Sequence, residues 1–402
     1  MVWAGGADEK EGVVYNWPAV DWDTLRARRS SKIAELMRER GLDHLLLTGF
    51  DTIRYAADYR TLIIAEGFDW FAAIIDQDGV CDVFVPWVDE VSERPEPGLP
   101  WIRSVRPAPS WTPALAHART WTKSLADVLH QRGARRIGFE LVYADLLAAL
   151  RQEIPGAEFV SAAADLYDLR LSKDAIEIEL LTAASRVNSR AATAAMEAAK
   201  VGMTDHDILA IAMDSLQRDG SEFVSHSVCN VRRGTGTWFA VGNELAEGDA
   251  FFFDIGCYGA GGYASDMART GFIGEPPTEV KRAYRSLLEA HHVGEERARP
   301  GIRASELQEA INQYLRRQGL PITPYALGHG VGLRACELPT IYRADRMDRD
   351  QVLEEGMVIA LEPETAVEIA GLLVVLKIED NYLVQQDGLR RLTDAPYARD
   401  TS

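Results

Sequence analysis

The chain is 402 residues long, 47% apolar and 26% charged, the composition of a globular protein of about two domains. Its 61 acidic residues against 43 basic ones leave a formal net charge of −18, which argues against nucleic acid and against an anionic membrane surface as partners. No apolar run approaches the roughly 20 residues that span a bilayer, and the first residues lack the basic and apolar stretches of a secretory signal. The four cysteines, Cys81, Cys229, Cys257 and Cys336, form no CxxC pair, so reduced thiols and a cytoplasmic location are expected.

Residues 1–20 read as a loose arm. Residues 23–40 follow helical spacing, with Leu25, Ile33, Leu36 and Met37 on one face. The apolar run 44–50 reads as a buried strand, and 72–76 with 80–85 flank a DQDG turn as a hairpin. A helix over 121–130 and a short strand over 137–140 complete a strand–helix alternation that predicts a small α/β domain. Beyond it, Ser172 is placed to cap a long helix over 174–199 that carries Asp174 and Glu177 in its first turns. Thr204 is placed to cap a second, over 205–219, and strand-like runs follow at 222–229, 250–257 and 263–268. The order then recurs: helices over 279–297 and 304–319, the latter capped at Ala304 and Ser305, then strand-like runs at 326–333, 357–361 and 372–378. Helix, helix, strands is thus written twice, about 110 residues apart, as an internal duplication. The expected fold is α/β (α+β): an N-terminal α/β domain over 1–165, then a duplicated domain over 166–402 with a site where its halves meet.

That second domain places five oxygen or nitrogen ligands on apolar strands. Asp254 ends FFFD, Asp266 lies twelve residues on across a Gly-rich turn, His329 sits in GHGVGL, Glu362 ends VIALE and Glu379 ends VVLKIE. Singly, each has an ordinary reading: Asp266 paired with Arg269, Glu379 with Lys377 or Arg390, His329 in a tight turn. Together they do not, because a buried carboxylate costs several kcal/mol unless paired or bound to metal. Hard oxygens with one imidazole suit Mn, Fe, Co or Zn, and two such ions about 3.5–4 Å apart activate water and polarise a substrate.

The pieces FDIGCYGAGGYASDMARTGFIG (253–274), GHGVGLRACELP (328–339), EEGMVIALEPE (354–364) and KIEDNYLV (377–384) resemble the pita-bread metallohydrolases: methionine aminopeptidases, prolidases, Xaa-Pro aminopeptidases and creatinases. DTIRYAADYR (51–60) is similar to part of the creatinase-like N-terminal α/β domain of that superfamily. The resemblance implies a pita-bread catalytic domain with pseudo-twofold duplication and two divalent ions, Mn foremost. It implies that Asp254 chelates one ion, that Asp266 and Glu379 bridge both, and that His329 and Glu362 bind the other. It also implies a homodimer or an assembly of dimers, in which Trp70 and Phe71 line a partner's pocket.

Departures from the pattern steer the expected chemistry. The Asp–Asp spacing is twelve rather than eleven, which predicts a bulge in the hairpin. Two histidines that the peptidases of the superfamily use are absent: TGTWFAVGNE stands at the place of one and Cys336 at the other. The WF pair and the IGCYG turn resemble non-peptidase members, notably dimethylsulfoniopropionate lyases, and the superfamily resemblance also admits nitroanthranilate-type aminohydrolases. His226 is a candidate acid/base, Arg232 and Arg233 are candidate carboxylate clamps, and Trp238, Phe239 and Trp70 are candidate flat walls. The expectation is a metal-dependent hydrolase that cleaves a C–N bond in a small non-peptide carboxylate, such as a substituted anthranilate, with Glu362 accepting the proton of metal-activated water. Alternatives are a dimethylsulfoniopropionate-type C–S lyase with Asp266 as base, and an Xaa-Pro aminopeptidase or prolidase.

Overall fold

The computed structural model describes residues 17–61, 71–92, 99–108, 118–231 and 238–398. They form two compact units, one from Val20–Arg170 and one from Leu171 onward together with residues 17–19. Among the described residues no helix is long and apolar enough to cross a membrane.

The first unit runs α1 (Trp22–Arg40), β1 (His44–Leu47), α2 (Phe50–Ala57), β2 (Ala72–Asp76), β3 (Cys81–Val85), β4 (Ile102–Pro107), α3 (Ala118–Gln131), β5 (Arg136–Phe139), α4 (Ala144–Glu153), β6 (Glu158–Ser161) and α5 (Ala163–Asp168). Its six strands form one mixed sheet in the order β4-β3-β2-β1-β5-β6, with the expected hairpin as β2 and β3. The strand predicted over 44–50 stops at Leu47. The reason is Glu140, whose buried carboxylate accepts from Gly49 N–H at 2.9 Å and from Thr52 Oγ1 at 2.6 Å. An acid at that position satisfies the orphan donors of a helix start and turns the chain into α2.

The second unit runs α6 (Ala175–Ala198), α7 (Asp205–Arg218), β7 (Phe223–Val231), β8 (Ala250–Tyr258), β9 (Ala264–Phe272), α8 (Thr278–Arg297), α9 (Ala304–Arg317), β10 (Gly328–Gly330), β11 (Glu337–Ile341), β12 (Val358–Leu361), β13 (Glu364–Ile369), β14 (Leu372–Lys377), β15 (Asp380–Gln385) and β16 (Gly388–Arg391). The strands form sheets β7-β8-β9 and β11-β10-β12-β15-β16 and a hairpin β13-β14. Each half has its own core. Val187, Ala191, Ile208 and Leu216 of α6 and α7 pack on Phe251, Phe253 and Ile255. Leu287, Leu307 and Ile311 of α8 and α9 pack on Ile359, Leu361 and Leu376. The duplicated order read from the sequence is therefore duplicated packing.

Two caps differ from expectation. Asp174, rather than Ser172, starts α6: its carboxylate accepts from Ile176 and Glu177 N–H while Glu177 returns a bond to Asp174 N–H. Ser172 is instead bridged to Met357. Arg303 caps α9, because Ser305 N–H and Oγ both turn to Asp350. The arm also differs. Residues 1–16 lie outside the described residues, but Trp17 is held by an Nε1–H bond to Gly220 O at 3.2 Å. Its ring lies so close to Gly259 that a β-carbon there would stand 2.3 Å away.

Candidate functional site

Strand register brings the acids together. Asp254 pairs with Ala268 and Asp266 with Gly256, so the two carboxylates project from the same face of adjacent strands, two positions apart. The β8–β9 ladder runs without a break; the predicted bulge in this hairpin is absent, and the extra length is taken up in its turn. The bulge lies on β7 instead, between Val224 and His226. His329 is the middle residue of β10, Glu362 follows β12 directly, and Glu379 lies between β14 and β15.

All five are buried, Glu379 most deeply at 1% exposed. His329 Nε2 stands 3.6 Å from Glu362 Oε1, 3.7 Å from Glu379 Oε1 and 3.8 Å from Asp266 Oδ2. These separations exceed hydrogen bonds, yet donors held about 2.1 Å from a common ion lie about 3–4 Å apart. Neither Glu379 oxygen accepts a hydrogen bond from a described residue, and Asp266 Oδ1 has the His226 ring nitrogen 3.1 Å away. Burial, with the Asp266 and Asp254 charges beside it, pushes the Glu379 carboxyl well above the usual range. Such orphaned acceptors in a crowd of negative charge fit hard divalent cations. Two donor sets each gather within 4.8 Å: His226 with Asp254 and Asp266, and Asp266 with His329 and Glu379. Asp266 is common to both.

One protein cation is already inside the cluster. Lys377 Nζ lies 2.5 Å from Asp254 Oδ2, 2.8 Å from Glu362 Oε2 and 3.5 Å from Glu379 Oε2. Burial opposes its charge, but Asp254, Glu362 and Glu379 outweigh that and hold its pKa well above the ordinary value. The rings of Trp238 and Tyr325 face the ammonium with their centroids at 5.3 and 5.9 Å, within cation–π range. They meet each other edge-on at 5.1 Å, and Tyr325 donates to Glu364 Oε2 at 2.7 Å.

Behind these side chains a network fixes the backbone. Asn381 Oδ1 accepts from Asp266 N–H at 3.0 Å and from Ser265 Oγ at 2.9 Å. Fully buried Arg269 pairs with Asp380 at 2.6 Å and donates to the carbonyls of Ala268 and Glu379. Asp205 accepts from Val241, Gly242 and Asn243 N–H, which anchors the segment that follows Trp238.

Of the other predicted site residues, His226 joins the cluster, its Nε2 2.9 Å from Asp254 Oδ1 and 3.1 Å from Asp266 Oδ1. Trp238 borders it, while Phe239 is 70% exposed. Arg232, Arg233 and Trp70 lie outside the described residues. Cys336 is exposed and adjoins His329. The central place of Lys377 was not foreseen, although a lysine on the apolar strand LLVVLK was its signal. Tyr325, four residues before His329, carried none.

Residues 179–386 match metallopeptidase family M24, and residues 29–172 match the creatinase/prolidase N-terminal domain. The chain belongs to metallopeptidase family M24. It is 30% identical over 268 residues to an Xaa-Pro dipeptidase of Pyrococcus horikoshii, covering 65% of this chain and 74% of that one. It is 31% identical over 230 residues to an Xaa-Pro dipeptidase of Pyrococcus furiosus, covering 56% of this chain and 64% of that one. The crystal structure of the prolidase from Pyrococcus horikoshii superposes with a TM-score of 0.74 at 25% identity, over 92% of this chain and 99% of that one. The creatinase-like N-terminal domain and the pita-bread domain are thus the fold of this M24 chain. These relatives are named as Xaa-Pro dipeptidases and a prolidase, not as members of the non-peptidase branch.

Proposed function

We propose that this M24 hydrolase is a divalent-metal-dependent dipeptidase acting on Xaa-Pro dipeptides. The observation that carries the reading is the buried convergence of Asp254, Asp266, His329, Glu362 and Glu379 in a chain similar to Xaa-Pro dipeptidases. Asp266, His329, Glu362 and Glu379 would hold one ion, and Asp254 with Asp266 and Glu379 the other, Mn foremost and Fe, Co or Zn the alternatives. Bound there, divalent ions polarise a scissile carbonyl and supply a nucleophile from water near neutral pH. Glu362 stands at the edge of the set as proton acceptor, oriented by the Lys377 ammonium at 2.8 Å. Trp238 and Tyr325 offer an apolar wall for an apolar ring such as the pyrrolidine of proline. Arg232 and Arg233 are kept as candidate clamps for the substrate carboxylate, and a homodimer as the working assembly.

A second reading has its own observation. Trp238 and Cys336 stand where the peptidase pattern has histidines, and neither carries a basic nitrogen. This favours a small non-peptide carboxylate with a C–N bond to break. The test is one screen of protein loaded in turn with Mn, Co, Fe or Zn, on Xaa-Pro dipeptides, amino-substituted aromatic acids and dimethylsulfoniopropionate. Turnover of Xaa-Pro dipeptides at 1 s⁻¹ or more, roughly the floor of ordinary enzymes, is the expected result. Turnover of an aromatic amine acid without any on dipeptides would overturn the peptidase reading.

A further inference from the structure

We propose that His226 is itself a metal ligand, the imidazole of the Asp254–Asp266 position, so that each of two ions takes one histidine. This rests on the metal-dependent reading above and changes the role of His226 from proton carrier to ligand.

Three features converge on it. The first is the donor geometry. His226 Nε2, Asp254 Oδ1 and Asp266 Oδ1 face one another, with the nitrogen 2.9 and 3.1 Å from the two oxygens. Ligands at right angles about 2.1 Å from one ion are separated by about 3.0 Å, so these atoms are spaced as one facet of an octahedral site. The second is the support behind the ring. His226 Nδ1 lies 3.0 Å from Ser225 Oγ. A hydroxyl that accepts from Nδ1–H leaves the Nε2 lone pair for a cation, the usual arrangement behind a ligating histidine. His329 is built the same way, with Nδ1 3.1 Å from Gly330 O. The third is the space made for the ring. The bulge between Val224 and His226 re-aims the side chain, and Gly256 is its cross-strand partner. A β-carbon on Gly256 would stand 2.1 Å from Ser225 Oγ and 2.5 Å from His226 Cε1. The strand opposite therefore carries the one residue that leaves room for this imidazole and its support.

The arrangement is symmetric in a way the duplication explains. The first half of the unit contributes His226, Asp254 and Asp266, and the second contributes His329, Glu362 and Glu379. Each half supplies one nitrogen and two carboxylates.

The test uses the full chain, stripped with chelator and titrated with Co²⁺ alone. Calorimetry reads stoichiometry, and proton NMR reads the exchangeable, paramagnetically shifted Nδ1–H signal of each cobalt-bound histidine. The parent should bind two Co²⁺ and show two such signals. His226→Ala should weaken one position at least about 10-fold, the scale of losing an outer-shell partner alone, and lose one signal. Should His226→Ala fail to fold, His329→Ala decides, because one shifted signal must then remain. Two tight Co²⁺ in the parent with a single signal, or unchanged affinities in His226→Ala, would overturn the ligand role and leave the metal reading intact. A parent that binds no Co²⁺ would overturn both.

Discussion

Removing the Lys377 ammonium tests whether the acid cluster is short of positive charge. Lys377 is 2% exposed and contacts three carboxylates at 2.5, 2.8 and 3.5 Å. Lys377→Met keeps most of the side-chain volume and leaves Asp254, Glu362 and Glu379 facing one another without it. Breaking one partner of a buried ion pair costs about 3–5 kcal/mol. For a unit of this size 1 kcal/mol moves the melting temperature by about 2–4 °C, so the chelated variant should melt about 6–20 °C below the chelated parent. Divalent ions supply the missing charge, and at 100 times their dissociation constant add about 2.7 kcal/mol per site, so Mn²⁺ should restore part of the loss. Lys377→Arg, which keeps the charge, should lose less. The assay is calorimetric melting with chelator and with excess Mn²⁺. A chelated Lys377→Met protein that melts within about 1 °C of the parent, well inside the shift that even 1 kcal/mol produces, would refute the charge argument.

Three further outcomes are expected. Asp266→Ala and Glu379→Ala should lose bound metal more completely than Asp254→Ala, because each removes a carboxylate assigned to both ions; elemental analysis after dialysis checks it, and full occupancy in either variant would contradict the bridging roles. Asp205→Ala should destabilise the second unit by about 1.5–3 kcal/mol, the scale of hydrogen bonds to a charged group, and raise KM more than it lowers kcat, since it frees the segment after Trp238; urea titration and steady-state kinetics measure both. In the first unit, burial works against the Asp82 charge, but Arg132, Ser104 and Arg103 hold its pKa below the usual value. A carboxyl depressed in the folded state stabilises above its unfolded pKa of about 4, and that contribution fades as pH falls through the lower folded value; the urea midpoint should therefore fall less between pH 6 and pH 3 in Asp82→Asn than in the parent.

Much of the catalytic unit was legible because its signals are local. Alternation and helical period marked α6 to α9, and the runs FFFD, VIALE and VVLKIE each end in an acid, Asp254, Glu362 and Glu379. Where the reading failed, a long-range partner had decided the outcome. Glu140, about 90 residues from Gly49 in sequence, turned a predicted strand into α2. Asp350 drew Ser305 away from capping α9. The hairpin bulge was placed on the wrong strand because spacing alone does not separate a longer turn from a break in the ladder. Short strands such as β6, with four residues and one buried, carry too little pattern to be read. In the site, the acids that end apolar runs announced themselves by their cost of burial, whereas the central place of Lys377 was passed over and Tyr325 is defined only by its neighbours.

Charge balance connects the site to its substrate class. Among the described residues, four buried carboxylates, Asp254, Asp266, Glu362 and Glu379, face one buried ammonium, Lys377, which leaves three negative charges unmatched when His226 and His329 are neutral. Taking up protons lowers that deficit, and the upward shifts at Glu379, His226 and His329 are that tendency. Two divalent ions go one charge past neutrality when His226 and His329 are neutral ligands. One anionic ligand, hydroxide drawn from the activated water or a carboxylate arriving with the substrate, completes the balance in a site where unpaired charge is costly. A dipeptide presents such a carboxylate, and so does an aromatic amine acid, whereas an uncharged amide does not. Metal-loaded protein should therefore favour free carboxylates over the corresponding amides or esters, and equal kcat/KM for a dipeptide and its C-terminal amide would show that the charge is balanced by something other than substrate.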